Sequence, residues 1–278
     1  MKSSHYQDKI CWITGASSGI GESLAIALGR LGARLILSSR KKESLEKVRL
    51  QCMNPENVFI LACDMESTST LASVSRHAWK IFDGIDYVFL NAGLAVRDLV
   101  INTELEMFQK VMNINYFSAV IISKTLLPMM IERRSGHFVV TNSLSGKYGV
   151  PRLAAYSASK HALHGFFESL RAENHAQGIR VTMITPGFVN TGITLHALKG
   201  NGEPYARMED SVGRGISPEK CANQMIDAAA KQKNEAMIGG AEKFSVWFKR
   251  FFPGAMARAI RSHPLKKLRK LGFLRADE

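Results

Sequence analysis

Seven short apolar runs alternate with longer stretches of helical periodicity, at residues 9–14, 34–39, 58–62, 87–91, 137–142, 180–185 and 236–238. That alternation restricts the fold more than any other feature of the chain. Most of the runs are continuously apolar rather than alternating, which suits strands covered on both faces of a parallel sheet. Between them, 19–31 places Ile20, Leu24, Leu28 and Leu31 on one helical face, and 42–52, 67–82, 104–127, 155–177 and 218–231 behave similarly. Parallel neighbours need a crossover, so the pattern predicts a doubly wound, seven-stranded α/β sheet in one domain over 1–241. A chain of 278 residues, 46% of them hydrophobic, supplies the core such a sheet needs.

Two regions break the rhythm. Segment 192–216 is rich in glycine and polar residues and follows the C-terminal end of the sixth run, where ligands bind in open sheets. It is expected to be a substrate lid. Residues 242–278 carry ten Lys or Arg against three acids, which is +7 of the chain's +13. Phe244, Trp247, Phe248, Phe251 and Phe252 precede Pro253 and Gly254, which should break a helix. This basic, aromatic, helical extension fits three uses: cover for the substrate pocket, docking on a neighbouring subunit, or peripheral contact with an anionic membrane. A solvated helix face accounts for the charge equally well. Nothing resembles a nucleic-acid reading helix or stacking platform, so nucleic acid is not an expected partner. Lys124 interrupts the apolar stretch at 119–131, so no membrane span is expected. Residues 1–10 are polar and show no signal segment. Cys11, Cys52, Cys63 and Cys221 have no metal-ligand spacing. Reduced, mostly buried thiols, no metal and a cytoplasmic location are the expectations.

The chemistry begins between the first strand and the first helix, with Thr14, Gly15, Ala16, Ser17, Ser18, Gly19, Ile20 and Gly21. Glycines there let phosphate oxygens approach a tight turn, and the helix start offers free N–H groups. Arg40 follows the second strand, with no Asp or Glu between Ser38 and Lys42. In a dinucleotide site an acid at this edge would bond a ribose 2′-hydroxyl, whereas an Arg accommodates a 2′-phosphate, so NADP(H) is expected over NAD(H). Asp64 follows the third strand and could accept from an adenine amino group beside Met65; a local turn or cap explains it equally. Asn91, Ala92 and Gly93 close the fourth strand, where small residues admit a ribose or simply make a turn.

Ser143 ends the fifth strand, and Tyr156 and Lys160 stand four apart on one helical face. A free phenol, with a pKa near ~10, is a poor acid or base at neutral pH. A nearby ammonium would stabilise the phenolate and lower that value. Tyr156 would then move a proton to or from a carbonyl oxygen, and Ser143 would hydrogen-bond that oxygen. Asn115 could hold a water bonded to Lys160. Leu94, Ser145, Tyr148, Phe188, Leu195 and Tyr205 are candidates for a mostly apolar substrate pocket, favouring lipid-, steroid- or acyl-like carbonyls.

In this order and spacing the motifs resemble the short-chain dehydrogenase/reductase family, over about residues 9–238. The texture of 137–191 is most like the subgroup of dehydrogenase/reductase member 7B-like proteins and 11β-hydroxysteroid dehydrogenases. The resemblance implies a Rossmann-type domain with Asn115, Ser143, Tyr156 and Lys160 as a catalytic tetrad. It also implies that Pro186, Gly187, Phe188, Val189, Asn190 and Thr191 contact the nicotinamide, Val189 and Thr191 holding its carboxamide. Family members often form dimers or tetramers through the helices carrying Asn115 and Tyr156. Leu90 stands where many members have a first Asn, and the chain runs about forty residues past the seventh strand. Two functions remain: an NADP(H)-dependent oxidoreductase acting on a small carbonyl or alcohol, and a cofactor-binding regulatory or interaction protein with little catalysis.

Overall fold

The computed structural model describes residues 5–262. Seven parallel strands form one sheet in the order β3-β2-β1-β4-β5-β6-β7. They are β1 (Ile10–Thr14), β2 (Arg34–Ser38), β3 (Val58–Ile60), β4 (Tyr87–Leu90), β5 (Gly136–Thr141), β6 (Ile179–Pro186) and β7 (Glu235–Ile238). Consecutive residues of β1, β2, β4 and β5 feed opposite core layers. Cys11, Ile13, Leu35, Leu37, Phe89 and Val139 join one apolar cluster. Trp12, Ile36, Val88, Leu90, Phe138 and Val140 join the other. Two covered faces explain why the runs show no polar alternation.

Three helices cover the first face: α1 (Gly19–Arg30), α2 (Lys42–Arg49) and, after β6, a helix at Pro218–Ala230. The second face carries α3 (Thr68–Ile81), α5 (Ser118–Glu132) and α6 (Ala154–Asn174), while α4 (Leu105–Met112) packs its Val111 on Ala155 of α6 in a separate small cluster. The helix at Pro218–Ala230 is α7. The expected single helix over 104–127 is interrupted by a π-helical turn, Asn113–Phe117, and then runs through Pro128 to Glu132. Buried Met130 anchors that last turn. The combined run Leu105–Glu132 has a mean hydropathy of 1.4 over its most apolar window and is long and apolar enough to cross a membrane. Lys124 therefore does not break it as the sequence reading assumed. In this fold the run packs Ala119, Ile122, Leu126 and Met130 into the second core.

The order of strands reverses between β1 and β4, so their C-terminal ends open a crevice at the switch point. Segment 192–216 lies near this end and contains a single helical turn, Asp210–Gly213. Leu198 within it bridges Val96 and Pro204. The chain continues in α8 (Ser245–Phe251) and α9 (Pro253–Ser262), separated at Phe252. Proline at the start of α9 explains the break, because its ring suits a first helical position and no interior one. The rest of the basic extension, with Lys266, Lys267, Arg269, Lys270 and Arg275, lies outside the described residues.

Candidate active site

The Gly-rich turn sits at the switch point. Gly15 and Gly19 adopt φ of +66° and +59°, a region that glycine enters without penalty. A Cβ on Gly21 would come 2.8 Å from both the Gly15 carbonyl carbon and the Asn91 Nδ2, so only hydrogen fits there. Ser18, the N-cap of α1, makes no side-chain cap bond. The first-turn N–H groups are thus free of a capping side chain, the donor set that phosphate oxygens use. Ser17 and Ile20 flank them, Ile20 packing on the first core. Thr14 Oγ1 accepts from the Asn91 and Ala92 N–H groups at 3.0 and 3.1 Å. Asn91 in turn donates to the Thr14 and Gly15 carbonyls and accepts from Thr141 Oγ1 at 3.2 Å. Asn91 therefore ties β1, β4 and β5 together, and its partner is Thr14, whose role as an acceptor the sequence did not announce.

At the β2 edge, Ser38 Oγ accepts from the Trp12 indole N–H at 2.9 Å and is occupied. Ser39 Oγ is buried with no partner among the described residues, and Arg40 beside it is exposed. Among the described residues Arg40 has no ion pair, so its guanidinium and the orphaned Ser39 hydroxyl could hold an anionic group of a bound nucleotide. Asp64 Oδ1 accepts from the Glu66 N–H at 3.0 Å, the turn reading, and Met65 is buried in the second core. Across the crevice, Thr191 lies against the Gly-rich turn: a Cβ on Gly19 would stand 3.2 Å from its Cγ2. Pro186 ends β6, and the Gly187 N–H donates to the Ile238 carbonyl at 2.7 Å. Val189 buries its side chain in the first core, and its carbonyl accepts from the Thr191 N–H at 2.8 Å. Glu242, another residue missed by sequence reasoning, accepts from the Phe188 and Gly240 N–H groups at 3.1 and 2.9 Å. It fastens the start of the C-terminal helices to this loop.

Helix α6 carries Tyr156 and Lys160, and the end of β5 carries Ser143. Ser143 Oγ accepts from the Ser145 N–H at 3.2 Å and lies near enough to the Tyr156 phenol to favour its ionised form. Lys160 is 3% exposed; its Nζ donates to the Thr141 carbonyl at 2.8 Å and lies 5.6 Å from the centroid of the Tyr156 ring. Asn142 Nδ2 donates to the Lys160 carbonyl at 3.1 Å. Gly93 has space beside it, since a Cβ there would meet only Asn115 Oδ1 at 3.5 Å and Lys160 Nζ at 3.8 Å. Tyr156, Ser143, Lys160 and Asn115 thus gather on one side of the crevice.

Two expectations change. Asn115 was to hold a water beside Lys160, but its side chain is already engaged. Oδ1 accepts from the Leu94 N–H at 2.7 Å, and Nδ2 donates to the Leu94 carbonyl at 3.0 Å and to Ser159 Oγ at 2.9 Å. Ser159 donates on to the Tyr156 carbonyl at 2.8 Å. Asn115 acts here as a clamp between the loop after β4 and α6, set by the π-helical turn that holds it. The phenol also differs. Burial raises Tyr156 above its ordinary value, and the Ser143 hydroxyl and the Arg97 charge offset only part of that rise. Burial likewise pushes Lys160 down to about 8. Desolvation is the largest cause for both groups, and it acts against both charged forms.

The expected pocket residues take different positions. Leu94 packs with Val96, Val111 and Ala155. Tyr148 shares a 2.7 Å hydrogen bond with Ser245 Oγ of α8, so its hydroxyl faces the extension. Ser145 is buried, whereas Phe188 and Leu195 are exposed. Tyr205 packs with Tyr156 on a small cluster of Ala95, Leu153 and Ala197. Of the residues missed, Thr141 and Asn142 carried a signal, being polar groups that end an apolar run. Arg97 carried none, because only the fold brings it near Tyr156.

Residues 9–201 match the family model described as short chain dehydrogenase. The chain is 35% identical over 256 residues to a dehydrogenase/reductase SDR family protein 7-like of Anopheles gambiae, covering 90% of this chain and 81% of that protein. It is 31% identical over 269 residues to dehydrogenase/reductase SDR family member 7B of Mus musculus, covering 95% and 83%. A short-chain dehydrogenase/reductase from Burkholderia phymatum, solved in complex with NAD, superposes with a TM-score of 0.78 at 21% identity, covering 88% of this chain and 94% of that one. A short-chain dehydrogenase from Streptomyces avermitilis gives the same TM-score at 22% identity, covering 94% and 97%.

Proposed function

The chain belongs to the short-chain dehydrogenase/reductase family of oxidoreductases, and on that premise we propose that it interconverts a carbonyl and a secondary alcohol with NADP(H). The observation that carries the proposal is the buried Lys160 ammonium, 5.6 Å from the Tyr156 ring and fixed by the Thr141 carbonyl, with Ser143 near the phenol and a Gly-rich turn beside them. A regulatory binding protein has no use for that arrangement.

A bound nicotinamide nucleotide supplies the two-electron donor or acceptor. Everything else falls to the chain. The uncapped first turn of α1 takes the phosphates, and Gly15, Gly19 and Gly21 keep the approach open. Arg40 and the unpartnered Ser39 hydroxyl support a 2′-phosphate, hence NADP(H) rather than NAD(H). Ser143 Oγ donates to the substrate oxygen and holds it against Tyr156. The Tyr156 hydroxyl gives its proton to that oxygen in reduction and takes it back in oxidation. Lys160, fixed by the Thr141 carbonyl, places positive charge behind the phenolate as it forms. Asn115 and Ser159 hold α6 in register with the loop after β4.

Exposed Phe188 and Leu195 near this end of the sheet support an apolar substrate body. The extension supports peripheral contact with an anionic membrane. Helix α8 meets the body through polar bonds, Tyr148 to Ser245 and Lys249 to the Lys147 carbonyl. Its aromatic face, Trp247 stacked on Phe251, stays exposed among basic residues.

Tyr156→Phe removes only the hydroxyl. It is expected to cut turnover of a carbonyl panel by at least about a hundredfold, the usual worth of a positioned acid. NADPH binding, followed by its fluorescence, should remain. Turnover equal to the wild type would remove Tyr156 from the acid role, and tight NADPH binding by a wild type that reduces no member of the panel would favour the regulatory reading instead.

A further inference from the structure

Four bases from three distant stretches meet beside the candidate active site. Arg97 follows β4, Arg152 precedes α6, and Lys199 and Arg207 belong to segment 192–216. Backbone pairing joins these stretches: the Arg97 N–H donates to the Leu198 carbonyl at 2.8 Å and the Asp98 N–H to the Arg152 carbonyl at 3.1 Å. With Asp98 and Tyr205 the four bases line a cavity of about 200 Å³.

The charges there do not cancel. Lys199 pairs with Glu203 at 2.8 Å, and Arg97 with Glu209 at 2.9 Å. The Asp98 carboxylate is already taken by the Leu99 and Gly200 N–H groups and the Asn102 amide. Counting all three acids against four bases leaves one positive charge. Arg152 and Arg207 form no ion pair among the described residues, and Arg97 Nε is buried without a partner. Unspent guanidinium donors around a cavity form a site for a carboxylate or phosphate, which they bind bidentately.

The cavity adjoins the reacting group. Tyr205 in its wall and Tyr156 pack on the same cluster of Ala95, Leu153 and Ala197. Arg97 is near enough for its charge to act on the phenol. A molecule whose carbonyl reached Tyr156 could therefore extend an anionic end into this cavity.

We infer that the substrate of this site carries an anionic group, a carboxylate or a phosphate monoester, received by Arg97, Arg152 and Arg207. This inference rests on the oxidoreductase reading for the word substrate; the anion site stands apart from it. The sequence reading expected a mostly apolar pocket with Tyr205 in its wall. The cavity adds a polar end to that expectation and makes the fitting molecule amphiphilic.

Two measurements on the full chain test it. Calorimetric titration with inorganic phosphate should show saturable binding, weakened at least tenfold in Arg152→Gln/Arg207→Gln and retained in Arg40→Ala. Arg207 is exposed, so Arg207→Gln alone, with Arg207→Lys as its conservative partner, serves if the double variant misfolds. Binding that persists in the double variant, or is lost only in Arg40→Ala, overturns the inference. The second measurement compares kcat/KM for a long-chain oxo acid and its methyl ester, and for a phosphorylated ketone and its dephosphorylated form. The anionic member should be preferred, and the double variant should reduce that preference at least tenfold. Whichever pair shows the larger effect identifies the anion. Ketone turnover without saturable anion binding overturns the anion site alone. Anion binding lost in the double variant, with no ketone turned over by the wild type, supports the anion site and overturns the oxidoreductase reading.

Discussion

Lys160 offers a stability measurement that needs neither substrate nor cofactor. Burial brings its ammonium from the ordinary 10.5 down to about 8 in the folded chain. Between those two values the unfolded chain holds a proton that the folded chain has released. Stability rises with pH wherever the unfolded state binds more protons, so this lysine makes the fold more stable as pH climbs from about 8 to about 10.5. A displacement of about 2.5 units at 1.36 kcal/mol per unit sets the whole effect at about 3 kcal/mol. Between about pH 7.5 and pH 9.5 the two proton-binding curves differ by about 2 kcal/mol of that. Other buried groups act in the opposite direction. Burial pushes the Cys52 thiol up to about 11 and Cys221 up to about 12, and raises the phenols of Tyr6, Tyr87 and Tyr156. For an acid raised in the folded state, stability is lost as pH rises past its unfolded value. The wild-type curve alone therefore mixes both signs, and the difference from Lys160→Met isolates the lysine. Urea unfolding followed by far-ultraviolet circular dichroism at several pH values measures it. The wild type should gain about 2 kcal/mol on Lys160→Met between about pH 7.5 and 9.5. A difference that stays level within about 0.5 kcal/mol would refute the argument that desolvation dominates this lysine.

Two further outcomes are expected. Arg40→Ala should lower the ratio of kcat/KM with NADPH to that with NADH by about ten- to a hundredfold, since a charge-assisted hydrogen bond is worth about 1.5–3 kcal/mol; an unchanged ratio would take Arg40 out of the nucleotide edge. Trp247→Ser/Phe251→Ser, which removes a stacked and exposed aromatic pair, should reduce sedimentation with phosphatidylserine vesicles while leaving the melting temperature in place. Equal sedimentation would refute membrane contact through α8.

The fold was legible because its strands are buried on both faces. A run such as Cys11, Trp12, Ile13 must be apolar at every position when Cys11 and Ile13 feed one core and Trp12 the other. The Gly-rich turn was legible for a related reason: a backbone approach too close for a methyl group leaves a glycine in the sequence, as at Gly21. Contacts made by fold alone were not legible. Nothing around Arg97 in the chain announces Tyr156, and nothing around Glu242 announces the N–H groups of Phe188 and Gly240. The side-chain partners of Asn115 were not legible either, because the π-helical turn that aims it at Leu94 has no mark in residue periodicity.

Proton affinity is the part of the site that spacing could not give. A Tyr and a Lys four apart suggest mutual attraction, and the expectation of an acidified phenol rested on that pair together with the positive charge of an oxidised nicotinamide. In the folded chain both side chains lose water, and the loss favours the neutral phenol and the neutral amine together. At neutral pH the phenol is therefore kept loaded with its proton, the form that carbonyl reduction consumes. Lys160 near about 8 is still mostly charged at that pH and able to favour the phenolate once the proton has left. Alcohol oxidation needs the phenolate beforehand, so in this site it calls for alkaline solution or for positive charge beyond that of Lys160 and Arg97. The same dryness that raises the phenol is what lets a single serine hydroxyl and one ammonium act strongly on it, because charges interact more strongly where water is excluded.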